Sequence, residues 1–237
     1  MPDVIEIGAW VEAGESTLAV TLTAERVAGD LIAVMLTNSS NGVVTAISDS
    51  DGNSGYVASG AGVGFDAADS QNVEIWYCKN IVAHAAGTLT ITVTTSGTNF
   101  RAGHAFLIRG RHLTAPIDAT VKVAVSYHDV AAPATGGTLT PDEDNEVVVG
   151  IVAYATGPAY TLASGLTLGR LADTYWNATF SAEQTTKTSQ NWGYTAPSTG
   201  DWGIVVVGFK AAAAGGAGLA EESYRPPLIA VPQVRFW

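Results

Sequence analysis

Residues 88–94 read Thr-Leu-Thr-Ile-Thr-Val-Thr. Strict alternation of this kind suits a strand with one buried face and no helix, whose faces recur about every 3.6 residues. Leu89, Ile91 and Val93 then face a core, and the threonine hydroxyls face out. Similar short runs, cut by clusters of Gly, Asn, Asp and Ser, fill most of the chain, which is the signature of a sandwich or barrel. Strands are predicted over 4–8, 17–22, 30–37, 43–48, 73–77, 88–94, 105–109, 119–127, 146–154, 166–171, 176–183 and 203–209. Helical periodicity is nearly absent. The expected fold class is all-β: an antiparallel β-sandwich, jelly-roll-like, with an extended C-terminal tail.

Two runs break the alternation, Val147-Val148-Val149-Gly150-Ile151-Val152 and Ile204-Val205-Val206-Val207. Continuous apolar runs belong to strands covered on both faces, so these are central strands or faces that meet a partner. A weak internal echo accompanies them. Val27-Ala28-Gly29-Asp30 leads into Leu31-Ile32-Ala33-Val34 much as Asp144-Asn145-Glu146 leads into Val147-Val148-Val149, and residues 103–110 resemble 200–208. Two tandem sandwiches, or one sandwich whose halves share turn grammar, would both produce this. The absence of a polar linker favours one domain over 1–210, with its echo near 16–110 and 137–210.

Beyond it, 211–218 contains only Ala and Gly, a small-residue linker. Residues 219–237 carry Pro226, Pro227 and Pro232, which exclude a helix or a central strand. They also carry Tyr224, Leu228, Ile229, Val231, Val234, Arg235, Phe236 and Trp237. Such a segment reads as an anchor, because burying each large side chain against a partner contributes about 1.5–3 kcal/mol.

Charge narrows the partners. Of 237 residues only 14% are charged, and 22 Asp plus Glu against 11 Lys plus Arg give a formal net charge of -11. Such a surface repels a phosphate backbone, so no nucleic-acid partner is expected. No apolar run approaches the roughly 20 residues that span a bilayer, and acids stand where a secretory signal has Lys or Arg, so no membrane partner is expected and the chain is read as made in the cytoplasm. One cysteine, Cys78, forms neither an internal disulfide nor a thiolate zinc site.

No Gly-x-Ser-x-Gly elbow, phosphate-cradling Gly-Lys loop or matched Cys-His signature is found, and the chain is read as a non-enzyme without a cofactor. Asp49, Asp51 and Asn53 have the spacing of the first oxygen ligands of a calcium loop, but Gly52 stands fourth and Gly60 falls where the bidentate Glu belongs. The same residues form a strong hairpin-turn signal, so the turn is the first reading and calcium the second. Residues 142–146 are an acidic run read as a solvated loop. Tyr175, Trp192 and Tyr194 lie in or near polar, turn-like sequence from which rings could stack on a sugar. Arg101, His104, Arg109, Arg111 and His112 form the one basic cluster, which could meet an acidic surface on a partner.

The series Ala28-Gly29-Asp30-Leu31-Ile32-Ala33-Val34, Val44-Thr45-Ala46-Ile47-Ser48-Asp49-Ser50-Asp51-Gly52-Asn53 and Gly87-Thr88-Leu89-Thr90-Ile91-Thr92-Val93 resembles a β-sandwich module of tailed-bacteriophage virion proteins, also found in bacterial surface proteins. The resemblance runs over roughly 16–110 and more faintly to 210, and its motifs are structural. It implies a displayed virion component, a capsid decoration or spike or a tail-tip protein, made in the host cytoplasm without a signal peptide. Other virion subunits, including further copies of the chain, would be its partners, with a host-surface glycan as a further ligand. It implies no catalytic residue. The alternative function is a carbohydrate-binding module that recognises a cell-surface glycan.

Overall fold

The structure is a computed structural model and describes residues 3–9, 11–39, 42–66, 71–97, 101–131, 134–154, 161–172, 177–195 and 199–212. Among them every regular element is a β-strand. The first half holds β1 (Val4–Ile7), β2 (Val11–Ala13), β3 (Thr17–Leu22), β4 (Leu31–Asn38), β5 (Val44–Asp49), β6 (Val57–Asp66), β7 (Gln71–Cys78), β8 (Leu89–Thr95) and β9 (Arg101–Ile108). The second holds β10 (Ile117–Ala131), β11 (Ala134–Leu139), β12 (Glu146–Tyr154), β13 (Thr161–Leu162), β14 (Thr167–Ala172), β15 (Asn177–Gln184), β16 (Gln190–Thr195) and β17 (Thr199–Phe209).

These strands form four antiparallel sheets. In the first half the orders are β1-β9-β4-β7-β6, with β2 also on β9, and β3-β8-β5; in the second they are β10-β17-β12-β15-β14 and β11-β16-β13. Apart from β2, one set maps onto the other strand for strand, with β10 in the place of β1, β11 of β3, β12 of β4 and β17 of β9. The order is that of a jelly roll, except that β6 and β14 lie at the edge of the larger sheet. The sequence echo falls on equivalent strands, since residues 103–110 include most of β9 and 200–208 most of β17.

The layers stack small, large, large, small. Leu18, Val20, Leu22, Leu89, Ile91 and Val93 of the first small sheet close a core with Ile32, Val34, Leu36 and Leu107 of the large one. On the other face of that large sheet Leu31, Met35, Ile75, Phe106 and Ile108 meet Val147, Val149, Ile151, Val205, Val207 and Phe209 of the second large sheet. The opposite face of the second sheet, with Val148, Val152, Ile204 and Val206, packs on Trp192 of the outer sheet. The continuous apolar runs are therefore covered on both faces, and the partner one face meets is the other half of the same chain. The alternation in β8 has the expected result, with Leu89, Ile91 and Val93 fully buried and Thr90, Thr92 and Thr94 half-buried. In β12, Gly150 stands opposite Phe180, whose ring fills the space a Cβ would need.

Candidate functional site

The Asp49 turn is built by its own donors. Asp49 Oδ1 accepts from the amides of Asp51 (3.1 Å) and Asn53 (3.0 Å), and Oδ2 from Asn53 Nδ2 (2.9 Å) and the Tyr56 hydroxyl (2.7 Å). Burial, and next the hydrogen bond to Asp49, push the Tyr56 hydroxyl up from its ordinary range. Asp51 pairs with the buried Arg26 at 2.8 Å, and Asn53 Oδ1 accepts from Val82 N. Every one of the three predicted calcium ligands thus holds a protein donor, in the geometry of an Asx turn. Among the described residues no group of three His, Cys, Asp or Glu is placed to hold a metal ion.

In the basic cluster the Arg101 side chain lies outside the described residues, and the other members take structural roles. Arg109 grips Asp30 through Nε and Nη2, and His104 is fully buried beside Phe106. Arg111, 3% exposed, spans both halves: Nη2 reaches Asp3 (2.6 Å), Nη1 reaches the carbonyls of Asn145 (2.9 Å) and Phe209 (3.1 Å), and Nε that of Arg109 (2.9 Å). Burial lowers its pKa and the Asp3 carboxylate opposes that shift. His112 N donates to Lys210 O, and the amides of Lys210 and Ala212 to Pro116 O and Gly110 O. The chain that leads into the tail is therefore laced to the connection between the two halves.

Beside this lacing lies a carboxyl pair that sequence reading missed. The loop reading holds for Glu143, Asp144 and Asn145, which are exposed, but Glu146 is fully buried and opens β12, a correction to the solvated run. It is buried because β12 is covered on both faces from its first residue. Glu146 Oε2 has no N–H donor and faces Asp118, also fully buried, across the space left by Gly208. Two buried carboxyls side by side disfavour a second negative charge, so one of them is pushed toward its protonated form. Burial, then the hydrogen bond to Asp118 and its charge, push Glu146 up to about 8. Burial also works to raise Asp118, but the bond from Glu146 and the amides of Asp142, Thr120 and Val121 outweigh it and hold Asp118 below its usual range.

Of the predicted sugar platform, only the Trp192 ring lies among the described side chains. Trp192 is fully buried in the outer core of the second half, so its ring has no free face for a sugar, which corrects that reading. Asn191 beside it is exposed, so alternation along β16 turned the indole inward. Tyr194 pairs through its backbone with Ala134 and Leu162, its side chain lying outside the described residues, as does all of Tyr175. The anchor residues Tyr224, Pro226, Pro227, Leu228, Ile229, Val231, Val234, Arg235, Phe236 and Trp237 also lie outside the described residues.

A groove of ≈ 250 Å³ lies between the β4–β5 connection and the β6–β7 hairpin, lined by Gly42, Val43, Gly62, Val63, Gly64, Asn72, Val73 and Glu74. Alternation along β7 puts Asn72, Glu74 and Trp76 on one face, with Val73 and Ile75 in the core behind. Glu74 Oε2 accepts from Trp76 Nε1 at 2.7 Å and Oε1 from Asn38 Nδ2 at 3.0 Å. Burial raises the Glu74 pKa, while those two bonds lower it. Asn38 Oδ1 is buried without a donor.

Comparison with protein-family models, with curated proteins and with solved structures finds no match to this chain.

Proposed function

We propose that this chain is a structural, displayed component of a bacteriophage particle, fastened to a neighbouring subunit by residues 219–237. The observation that carries the reading is the lacing at the root of the tail. Lys210 and Ala212 are hydrogen-bonded to the 110–116 connection, and Arg111 ties that connection to Asp3, Asn145 and Phe209. A pull on the tail is thereby delivered to both sandwiches, which a display anchor requires. The apolar sequence of the segment, with Phe236 and Trp237 at its end, supplies the buried area an anchor needs. The test compares the full chain with one ending at Gly218. The shortened chain keeps its thermal unfolding midpoint and is missing from purified particles; incorporation at the normal level overturns the reading.

A second reading, recognition of a host-surface glycan, is favoured by the groove beside β7, where the half-buried Glu74 carboxylate, the Asn72 amide and exposed Val43 converge.

A further inference from the structure

We infer that the groove formed by Gly42, Val43, Gly62, Gly64, Asn72 and Glu74 is a saccharide site that holds one ring of a neutral glycan. The inference rests on the glycan reading and gives it a place and a chemistry.

Spare hydrogen-bonding capacity is the first argument. Asn72 Oδ1 receives Asn38 Nδ2 at 3.4 Å and Asn72 Nδ2 reaches Gly42 O at 3.5 Å, both beyond the usual range of about 2.7–3.2 Å. The Asn72 amide therefore has a donor and an acceptor to offer at little loss. Glu74 uses one acceptor position on each oxygen and has others left. Acceptors in excess of donors call for hydroxyls, which donate and accept on the same atom.

Charge and shape narrow the class. Glu74 repels phosphates, carboxylates and sulfated sugars, so the ligand is neutral. Its two oxygens already face N–H donors and no second carboxylate lines the groove among the described residues, which disfavours a cation. Gly62 and Gly64 leave one wall as bare backbone, and Val43, 62% exposed, offers apolar contact to a C–H face. A volume of ≈ 250 Å³ is below the roughly 300–1,000 Å³ of sites for drug-sized ligands, and suits a single ring.

The experiment uses the full chain against glucose, galactose, mannose and N-acetylglucosamine by saturation-transfer NMR, and against immobilised neutral oligosaccharides. Binding by at least one sugar is expected, with Asn72→Ala and Glu74→Gln each weakening it about tenfold or more. Asn72→Ala should keep the parent's thermal midpoint, so it decides the matter even if Glu74→Gln fails to fold. If no sugar binds the full chain, the glycan reading itself falls. If a sugar binds equally to parent and both variants, glycan recognition stands and the groove is the wrong place. Calcium chloride binding alone, abolished by Glu74→Gln, would overturn the saccharide in favour of a cation.

Discussion

Glu146→Gln isolates the buried carboxyl pair. The side chain keeps its shape, and its amide can donate to Asp118 with no proton to be held. In the parent, Glu146 is raised from 4.5 to about 8 by burial and by Asp118. Between those limits the folded chain keeps a proton that the unfolded chain has released. Stability from this group is therefore fully present below about pH 4.5 and is lost as pH rises through about 8, at about 1.4 kcal/mol per unit. From about pH 5.5 to about pH 7.5 that amounts to roughly 2.5 kcal/mol. Glu74 is raised too and tilts the parent's own curve the same way, while the lowered Asp118 acts on the acid side, so the difference between parent and variant is the quantity to read. Urea unfolding followed by the fluorescence of buried Trp192 and Trp202 gives it. The variant's lead over the parent should grow by about 2.5 kcal/mol from the lower pH to the higher, the two being nearly equal only below about pH 4.5. Parallel curves would refute the shared proton, as would a variant that is the weaker of the two near neutrality.

Gly150→Ala drives a methyl into the Phe180 ring, whose nearest atom lies 2.0 Å from the Cβ position, and should cost about 3 kcal/mol or more by guanidinium unfolding. Arg111→Met keeps the stem but leaves the carbonyls of Asn145 and Phe209 without their donor, so a loss of about 2–4 kcal/mol is expected. Arg111→Lys should recover less than half of it, since an ammonium cannot reproduce the fork; full recovery would show that charge alone matters.

What the sequence discloses follows from how its signals arise. Alternation and β-branched runs gave strands 17–22 and 146–154 their observed bounds, because these segments meet a core across most of their length. Five strands escaped: the short β2 (Val11–Ala13) and β13 (Thr161–Leu162), and the longer β6 (Val57–Asp66), β11 (Ala134–Leu139) and β16 (Gln190–Thr195), these three with sequences Val-Ala-Ser-Gly-Ala-Gly-Val-Gly-Phe-Asp, Ala-Thr-Gly-Gly-Thr-Leu and Gln-Asn-Trp-Gly-Tyr-Thr. Their Gly and Asn read locally as turns, whereas here pairing with a neighbour, and not side-chain pattern, makes the strand. Trp192 was misplaced for the same reason: polar neighbours said loop, and pairing with β11 and β13 turned its ring inward. Glu146 and Glu74 were invisible as site residues because a carboxylate's burial is decided by sheets far away in sequence.

The two inner sheets also explain how one chain could hold an anchor and a ligand without conflict. A strand such as β4 or β12 that is buried on both faces has no surface to give, so function is pushed to edges and connections. The tail root lies at the seam, where Arg111 gathers Asp3 of the first half with Asn145 and Phe209 of the second. The groove lies at the edge strand β6 and its neighbour β7, beside the connection into the edge strand β5. None of the residues that line the groove is a hydrogen-bond partner in the lacing. Between the two places lies the close-packed apolar layer of Met35, Ile75, Val149 and Val205, crossed by the buried hydrogen bond from Asn177 Nδ2 to Thr37 Oγ1 (3.2 Å), neither partner of which lines the groove or joins the lacing. Attachment and recognition, if both are present, should therefore be additive and not allosteric.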